Sequence, residues 1–449
     1  MGKDSLLEGD IKKTFFQYLI PSIGGMLGTA AYVIGDTIII GRSMGGQGLA
    51  ALNMVLPIFR LINATALMFG IGGATVLSIL RGQGHEERAN DVFNMSLILS
   101  SILGFVLILL RIFNVEFLVN ILGTTDFTYE MVKSYLGIYL YFNIFTILNV
   151  TLGVFVRNDG SPKLVMAATL ISAAFNLILD YILVFPYDMG MWGAAFATAV
   201  SPIVSILILL LHFVRGRNKI NFYLVKPDGY FIRRILKTGF PSFILEFSIG
   251  IVIFLFNITL IKISGDLAVS VYGIIINLAL FANSIFNGIG QAIQPIVSIN
   301  HGAGREERTL EAGRLGLITG LVLGVAFFLS GLIFPEFYAK LFTSERGEII
   351  RLGMRAVKIY FTAYIIIGVN MAMISYIQSK EQIQASVIIS LLRGSVYVAL
   401  ILLVFARLFG LDGVWATVPM AEFLAFITAL IVYKECRQLI AYSITGKKA

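Results

Sequence analysis

Four acidic residues lie inside long apolar stretches of the sequence: Asp36, Asp180, Glu246 and Glu422. A charged side chain within a membrane-spanning segment is costly and carries a functional hypothesis by default. Two carboxylates held close together in such a place repel each other unless a proton or another cation joins them. The chemistry that these residues indicate is the uptake and release of a cation.

Asp36, Asp180 and Thr198 lie five, six and seven residues from the ends of their apolar stretches, all on one side. At about 1.5 Å per helical residue, these offsets place them roughly 7 to 11 Å below the outer membrane boundary. Asn176 lies one helical turn deeper than Asp180. We therefore expect the four residues to line one cavity. The alternative is a pair of interfacial acids held by backbone groups or by Arg42.

A second set of charges lies in the other half of the chain: Glu246, Arg393 and Glu422. Arg393 and Glu422 are both predicted near the membrane midplane. A coupling or substrate site and a structural ion pair account for them equally well, because buried charges are normally paired whatever their role. Arg60, inside another apolar stretch, has no assigned role.

The sequence offers little support for an enzyme. Cys436 is the single cysteine, and the three histidines are scattered without metal-ligand spacing. No P-loop or HExxH motif occurs. Ser43 is predicted at the outer face and His212 at the cytoplasmic end of a span, so they form no nucleophile and base pair. We expect no cofactor and no resident metal, apart from H⁺ or Na⁺ as a coupling ion at Asp36 and Asp180.

The elements that position these residues are membrane spans. Of 449 residues, 57% are hydrophobic and 13% are charged, against about 25% charged in ordinary soluble domains. Apolar stretches of at least the roughly 20 residues that span hydrocarbon recur along the whole chain. We predict an all-α polytopic membrane protein with twelve transmembrane helices, at about 14–41, 48–80, 91–112, 127–156, 164–186, 191–214, 238–263, 267–298, 312–334, 356–378, 383–408 and 412–434.

The basic residues indicate the orientation of these spans. Most of the 34 Lys and Arg residues fall on the side of the two termini. The positive-inside rule places both termini in the cytoplasm. The net charge of +8 is therefore a topology signal rather than a sign of nucleic-acid binding, and membrane lipid is the partner that it implies.

The chain divides into two similar halves. The sequence Gly82-Gln-Gly-His-Glu-Glu-Arg88 resembles Gly302-Ala-Gly-Arg-Glu-Glu-Arg308 in the second half, and we call the separation of Gly82 and Gly302 the repeat offset. Six spans per half make the copies parallel repeats, a common plan among transporters. Glycine-rich span ends followed by charged loops could also arise from membrane composition alone. The predicted parts are an amino-terminal lobe (1–214), a cytoplasmic linker (215–237), a carboxy-terminal lobe (238–437) and a cytoplasmic tail (438–449).

Several motifs in this order resemble the multidrug and toxic compound extrusion (MATE) family. They cover essentially the whole chain and include the two Gly-x-Gly loops. The others are Pro21, Ile34-Gly-Asp-Thr-Ile-Ile-Ile-Gly41, Arg157-Asn-Asp-Gly-Ser-Pro-Lys163, Asn176-Leu-Ile-Leu-Asp180 and Gly193-Ala-Ala-Phe-Ala-Thr198.

The resemblance implies that Asp36, Asn176, Asp180 and Thr198 form the amino-terminal-lobe cation site of prokaryotic DinF-like members. It also implies that span one bends near Pro21. Another branch of the family uses an acid pair in spans seven and ten. Span ten of this sequence has amides, Asn370 and Gln378, and no embedded acid. The resemblance therefore favours coupling in the first lobe.

The function that we predict is cation-coupled antiport, with H⁺ favoured over Na⁺. The cargo would be small amphipathic organic compounds, often cationic, exported by alternating access. The alternative is a flippase for a lipid-linked saccharide or a related amphiphile, which shares the two-lobed plan. We expect a monomer in a prokaryotic inner membrane.

Overall fold

A computed structural model describes residues 6–216, 218–341 and 347–446. Helices make up nearly all of this part of the chain, and it contains no strand. The α-helices are α1 (Ile11–Gly82), α2 (Glu86–Ile121), α3 (Asp126–Asn158), α4 (Pro162–Val184), α5 (Gly190–Val214), α6 (Gly229–Gly302), α7 (Glu306–Ile333), α8 (Pro335–Lys340), α9 (Glu348–Tyr360), α10 (Tyr364–Ser379), α11 (Ile383–Leu391), α12 (Tyr397–Val432) and α13 (Lys434–Thr445). A 3₁₀ turn, Phe361–Ala363, joins α9 to α10, and a π-helical segment, Leu392–Val396, joins α11 to α12.

Ten helical stretches of the described chain are long and apolar enough to cross a membrane, with α6 counted as two, Gly229–Gly265 and Leu267–Gly302. Two of them hold two crossings each. The stretch Ile11–Gly82 has 72 residues and the stretch Ile383–Val432 has 50. A 72-residue helix would be about 108 Å long, against a hydrocarbon core of about 30 Å. The twelve predicted spans of an all-α membrane protein are therefore confirmed.

Single glycines divide the long helices into separate crossings. Gly45 in α1 has φ 62° and ψ −151°, and Gly265 in α6 has φ 64° and ψ −152°. This backbone region is essentially closed to residues with a Cβ atom. The two glycines are separated by the repeat offset of the Gly-x-Gly motifs. Gly190 and Gly410, which also have positive φ, have the same separation.

The Gly-x-Gly motifs end one helix and lead into the next. After Gly82 the amide of His85 donates to the carbonyl of Leu80 at 2.8 Å, and α2 begins at Glu86. After Gly302 the amide of Arg305 makes the equivalent bond at 2.9 Å, and α7 begins with Glu306. Acidic residues at these helix starts face the positive end of the helix dipole.

The described residues form two compact units, one of residues 24–246 and one made of the chain up to Ile23 together with 247 onward. These limits differ from the predicted lobes, because the first parts of α1 and α6 each pack in the unit built mostly from the other half. The connection between α5 and α6 is also shorter than the predicted linker, because α6 already begins at Gly229. The predicted tail starts inside α13, whose Cys436 and Leu439 are buried. Residue 217 of the linker and 447–449 of the tail lie outside the described residues.

Within the unit of residues 24–246, close helix contacts hold α1 against α4. A Cβ atom added to Gly35 would collide with the Leu177 side chain. Gly24 and Gly28 meet Met166 and Leu170 of α4 in the same way. Small residues of this kind let membrane helices approach closely. The contact brings the part of α1 around residue 36 against the part of α4 around residue 177.

In the other unit, the chain before α1 is bound by side chains near the start of α7. The buried Asn300 side chain donates to the Leu6 carbonyl at 3.0 Å. Arg308 donates to the Gly9 carbonyl at 2.8 Å and to the Asn300 side chain at 3.0 Å. These bonds explain why the start of the chain belongs to this unit.

Candidate functional site

The four residues predicted for the first site lie together in the unit of residues 24–246. Asp36 comes from α1, Asn176 and Asp180 from α4, and Thr198 from α5. The Asp36 and Asp180 carboxyl groups interact directly. The Asn176 side-chain amide donates to the Thr198 hydroxyl at 3.4 Å. The close contact at Gly35 is what allows α1 and α4 to bring the two acids together.

This carboxylate site is buried and has no counter-charge in the part of the chain that the structure describes. Asp36 is 7% exposed and Asp180 is fully buried. One Asp36 oxygen, both Asp180 oxygens and the Asn176 carbonyl oxygen have no hydrogen-bond partner among the described residues. No described Lys, Arg or His forms an ion pair with either acid. Two ionised carboxylates in this position would be unstable without a bound cation.

Aromatic residues surround the carboxylate site, and sequence reasoning missed them. The Tyr135 hydroxyl lies beside Thr198 and interacts electrostatically with both Asp36 and Asp180. Tyr32, one turn before Asp36 on α1, also interacts electrostatically with Asp36. Phe59 packs edge-on against Tyr135 and Tyr139. The available signal was spacing, since Tyr32 and Asp36 are four apart, as are Tyr135 and Tyr139.

Arg60 and Glu246 form an ion pair in the same unit. The Arg60 Nη1 atom lies 2.6 Å from Glu246 Oε1, and the two side chains are 30% and 14% exposed. Arg60 also interacts electrostatically with Tyr32. The sequence left Arg60 unassigned and grouped Glu246 with the carboxy-terminal charges. The structure instead pairs these two residues, because α6 brings Glu246 to the side chain that neutralises it.

Arg393 and Glu422 form the ion pair that the sequence offered as one of two readings. Arg393 Nε donates to Glu422 Oε2 at 2.7 Å, and the side chains are 11% and 7% exposed. Asn370 donates to the same Glu422 oxygen at 2.7 Å and to the Glu422 carbonyl at 2.9 Å. Arg393 lies in the π-helical segment, a feature often found at functional positions.

The carboxylate site has no counterpart in the second repeat. The repeat offset links Pro21 to Pro241 and Gly45 to Gly265, so the position between them that matches Asp36 is Phe256. Phe256 is fully buried and stacks on Tyr272. By the same offset Thr198 corresponds to Val418, and Asp180 to an apolar residue near position 400. This arrangement of Asp36, Asp180 and Thr198 therefore occurs in the first repeat and is not matched at the corresponding positions of the second.

A buried polar network that the sequence did not reveal lies where α3 ends. Asp159 accepts hydrogen bonds from Arg81 at 2.7 Å and from the backbone amide of Lys219 at 2.8 Å, and pairs with His212 at 2.8 Å. Burial opposes ionisation of Asp159, but the bonds to His212 and Arg81 outweigh it and hold its pKa below the ordinary 3.8. Ser161 completes the network by bonding the other His212 nitrogen at 3.0 Å. In the sequence, Asp159 and Ser161 stood out only as part of the Arg157–Lys163 motif.

Pro21 lies inside α1, two residues before the boundary between the compact units. Pro241, its repeat equivalent, lies five residues before the corresponding boundary in α6. Both helices stay helical through these prolines. A proline removes a backbone hydrogen bond and lowers the cost of bending a helix. The structure shows one conformation, and the bending of α1 stays a prediction.

The chemistry available at the carboxylate site is cation exchange. Carboxylate, amide and hydroxyl oxygens are the donors that hard cations prefer, and two carboxylates can also share one proton. The described residues contain no cluster of three or more His, Cys, Asp and Glu side chains able to hold a metal ion.

Comparisons with known proteins address the family and the fold. The sequence profile of the MatE family matches residues 21–182 and again residues 241–404, two segments whose starts are separated by the repeat offset. The multidrug export protein MepA of Staphylococcus saprophyticus is 28% identical over 429 residues, covering 95% of this chain and 94% of that protein. A MOP superfamily transporter from Pyrococcus furiosus has a TM-score of 0.90 with 23% identity, covering 98% of both chains. A multidrug resistance MATE family transporter in an outward-facing conformation has a TM-score of 0.89 with 24% identity, also covering 98% of both.

Proposed function

The chain belongs to the MatE family of multidrug and toxic compound extrusion transporters, and on that premise we propose that it is a cation-coupled antiporter. It would export small amphipathic organic compounds, often cationic. The coupling ion would bind at Asp36 and Asp180, with H⁺ favoured over Na⁺. The name of the Staphylococcus relatives, multidrug export protein, supports this class of cargo.

One observation carries the proposal: Asp36 and Asp180 are buried side by side without a described basic partner. Such a pair is stable only when a cation occupies it. A proton and an organic cation can both satisfy that need, and they compete for it. Proton sharing requires only the two carboxyl groups, whereas Na⁺ requires a fuller shell of oxygens. This difference favours H⁺.

The exchange would proceed by a shift between conformations. A proton that enters from outside neutralises the carboxylate pair, which removes the attraction for a cationic compound and favours its release. Return to the inward-open state would let the proton leave and a new compound bind. Bending of α1 near Pro21 is the motion that we propose between these states, with both termini in the cytoplasm.

The test is ethidium efflux from energised membrane vesicles, with a proton gradient and a Na⁺ gradient imposed separately. Asp36→Asn and Asp180→Asn each remove a negative charge while keeping the shape of the side chain. We expect either variant to lower the proton-driven efflux rate at least tenfold, because the pair can no longer exchange a proton for a cationic compound.

The matched control is Asp188→Asn. Asp188 lies in the connection between α4 and α5 with φ 49°, a conformation that asparagine adopts readily. This variant should transport like the wild type. Undiminished efflux by Asp36→Asn would overturn the site. Efflux driven only by the Na⁺ gradient would overturn the proton assignment, and translocation of amphiphilic lipids without any dye efflux would favour the flippase.

A further inference from the structure

The Arg393–Glu422 pair differs from the Asp36–Asp180 pair in one respect. In the unit of residues 24–246, two carboxylates lack a cation among the described residues. In the other unit, a single carboxylate is already matched by a guanidinium of the same chain, at 2.7 Å. Burial is similar in the two places, since Glu422 is 6% exposed and Asp36 is 7% exposed. The difference lies in where the positive charge comes from.

The atoms around the Arg393 guanidinium form a set of acceptors. Glu422 Oε2 accepts from Nε, and the Met371 sulfur accepts from Nη1 at 3.0 Å. The Asn370 carbonyl oxygen is fully buried beside them and has no hydrogen-bond partner. A buried oxygen that accepts nothing is costly. Asn370 also donates its amide to Glu422, so this oxygen lies next to the Glu422 carboxylate. The surroundings of Arg393 therefore contain more acceptor atoms than Arg393 uses.

We propose that Glu422 and Asn370 form a monovalent-cation site in which Arg393 is the resident cation. Because the guanidinium is covalently tethered, the site takes up no ion from solution while Arg393 stays in place. Removal of the Arg393 charge would open it to H⁺ or Na⁺. Its consequence for transport rests on the proposed function: only the Asp36–Asp180 pair would exchange a coupling ion.

The backbone around Arg393 is held in place by its own packing as well as by the bond to Glu422. Arg393 lies in the π-helical segment Leu392–Val396, where the extra residue in the turn shifts the following side chains. The next residue, Gly394, lies so close to Ser248 that a Cβ atom would be 2.7 Å from the Ser248 hydroxyl. The backbone at Gly394 therefore packs closely against α6, while the Arg393 guanidinium bonds Glu422.

The charged and titratable groups that face Glu422 among the described residues are few. Arg393 faces it from the π-helical segment, and Tyr360 faces it from α9. On α10, neither Asn370, which donates to Glu422, nor Met371, which accepts from Arg393, carries a charge. If Arg393 is replaced by a neutral residue, no other described basic side chain can therefore neutralise Glu422.

The test uses the purified full-length protein in detergent and measures cation binding through thermal stability, so it does not depend on transport. The variants are Arg393→Gln, Arg393→Lys, and Arg393→Gln combined with Glu422→Gln. Melting temperatures are compared in NaCl and in choline chloride at equal ionic strength, and each is measured between pH 5 and pH 9. Asp36→Asn is included in every background to remove the contribution of the first site.

We expect Arg393→Gln to gain a cation-dependent rise in melting temperature of several degrees that Arg393→Lys lacks and that Glu422→Gln abolishes. A rise that saturates with NaCl identifies Na⁺, and a rise on acidification in choline identifies H⁺. Equal responses of Arg393→Gln and the double variant to both cations would overturn the proposal.

If Arg393→Gln does not fold, the double variant decides the matter. The proposal requires that it fold and that its melting temperature show the same Na⁺ and pH response as Asp36→Asn alone, because Glu422 binds no ion while Arg393 is present. A response that differs between these two would show that Glu422 exchanges ions in the wild type, and would contradict the proposal. A double variant that also fails to fold would contradict it too, by showing a purely structural role for the pair.

Discussion

Asp159 and Asp36 are both buried carboxylates in the unit of residues 24–246, and they differ in their surroundings. Asp159 is bonded by Arg81, by His212 and by a backbone amide. Asp36 has another acid as its neighbour. A carboxylate with full partners stabilises the fold in its charged form, whereas we propose that the pair without them exchanges a cation. The same residue type therefore has two roles, set by what packs against it.

The Asp159 network gives a prediction about stability. Asp159→Asn removes the charge that compensates buried Arg81, so the free energy of unfolding at pH 7 should fall by about 3 kcal/mol. Because the pKa of Asp159 is lowered from 3.8, the contribution of its charged form is present above that pH and is lost as the pH falls through the folded-state value. The difference in the free energy of unfolding between variant and wild type should become smaller below about pH 4, as measured by unfolding titrations in mixed micelles.

The control for this prediction is Glu130→Gln, which changes an exposed acid near the start of α3. It should shift the free energy of unfolding by less than about 0.5 kcal/mol. A difference for Asp159→Asn that stays constant from pH 7 to pH 3 would show that its charge does not stabilise the fold.

Among the elements, the long helices α1 and α6 depend on their single glycine breaks. Gly45 and Gly265 share nearly the same φ and ψ, and no atom of the described chain lies within 4 Å of a Cβ added at either one. An added methyl group would therefore meet no steric obstacle from neighbours. The free-energy cost of the substitution would come from the backbone conformation alone. Substitution at these positions therefore tests whether glycine is required for the break between two crossings.

Gly45→Ala should lower the free energy of unfolding by about 1 to 3 kcal/mol, because its backbone conformation is nearly closed to alanine. Gly46→Ala is the matched control: it is the next residue, also has open space around it, and has no positive φ. It should be neutral or slightly stabilising. Melting temperatures and purified yields measure both. Equal yields and melting temperatures would show that the break does not depend on glycine.

Sequence reasoning found the elements more completely than it found the sites. Hydrophobic length sufficed for the twelve crossings, and depth arithmetic placed Asp36, Asp180 and Thr198 together. The partners of charges could not be predicted, because Arg60 and Glu246 are 186 residues apart and only helix packing pairs them. The Asp159 network was missed for the same reason. Its ligands come from the ends of separate helices, and a single sequence carries no signal of that contact.

At the scale of the whole molecule, the two compact units exchange segments. The chain up to Ile23 belongs with residues 247 onward, and the first part of α6 belongs with residues 24–246. Asn300 and Arg308 bind carbonyls of Leu6 and Gly9 in one unit, and Asp159 binds the amide of Lys219 in the other. Each half of the sequence therefore supplies a piece that the other half needs.

This exchange predicts how the protein behaves when it is cut. Fragments 1–216 and 217–449 should copurify when they are co-expressed, and each should be degraded when it is expressed alone, because each unit then lacks one of its helices. Copurification with an affinity tag on one fragment and the amount of each fragment in the membrane measure this. The control replaces the second fragment with 247–449, which lacks the first part of α6 and should not rescue 1–216. Stable accumulation of 1–216 alone would contradict the prediction.

The exchange also sets the order of events during synthesis. Ile23 and Phe247 belong to one unit, yet almost half of the chain lies between them. At about 5 to 20 residues per second, the ribosome makes Phe247 roughly 10 to 45 seconds after Ile23. The part of α1 up to Ile23 is therefore made well before the residues from Phe247 onward with which it packs. The final assembly of both units is necessarily a late, post-insertion event.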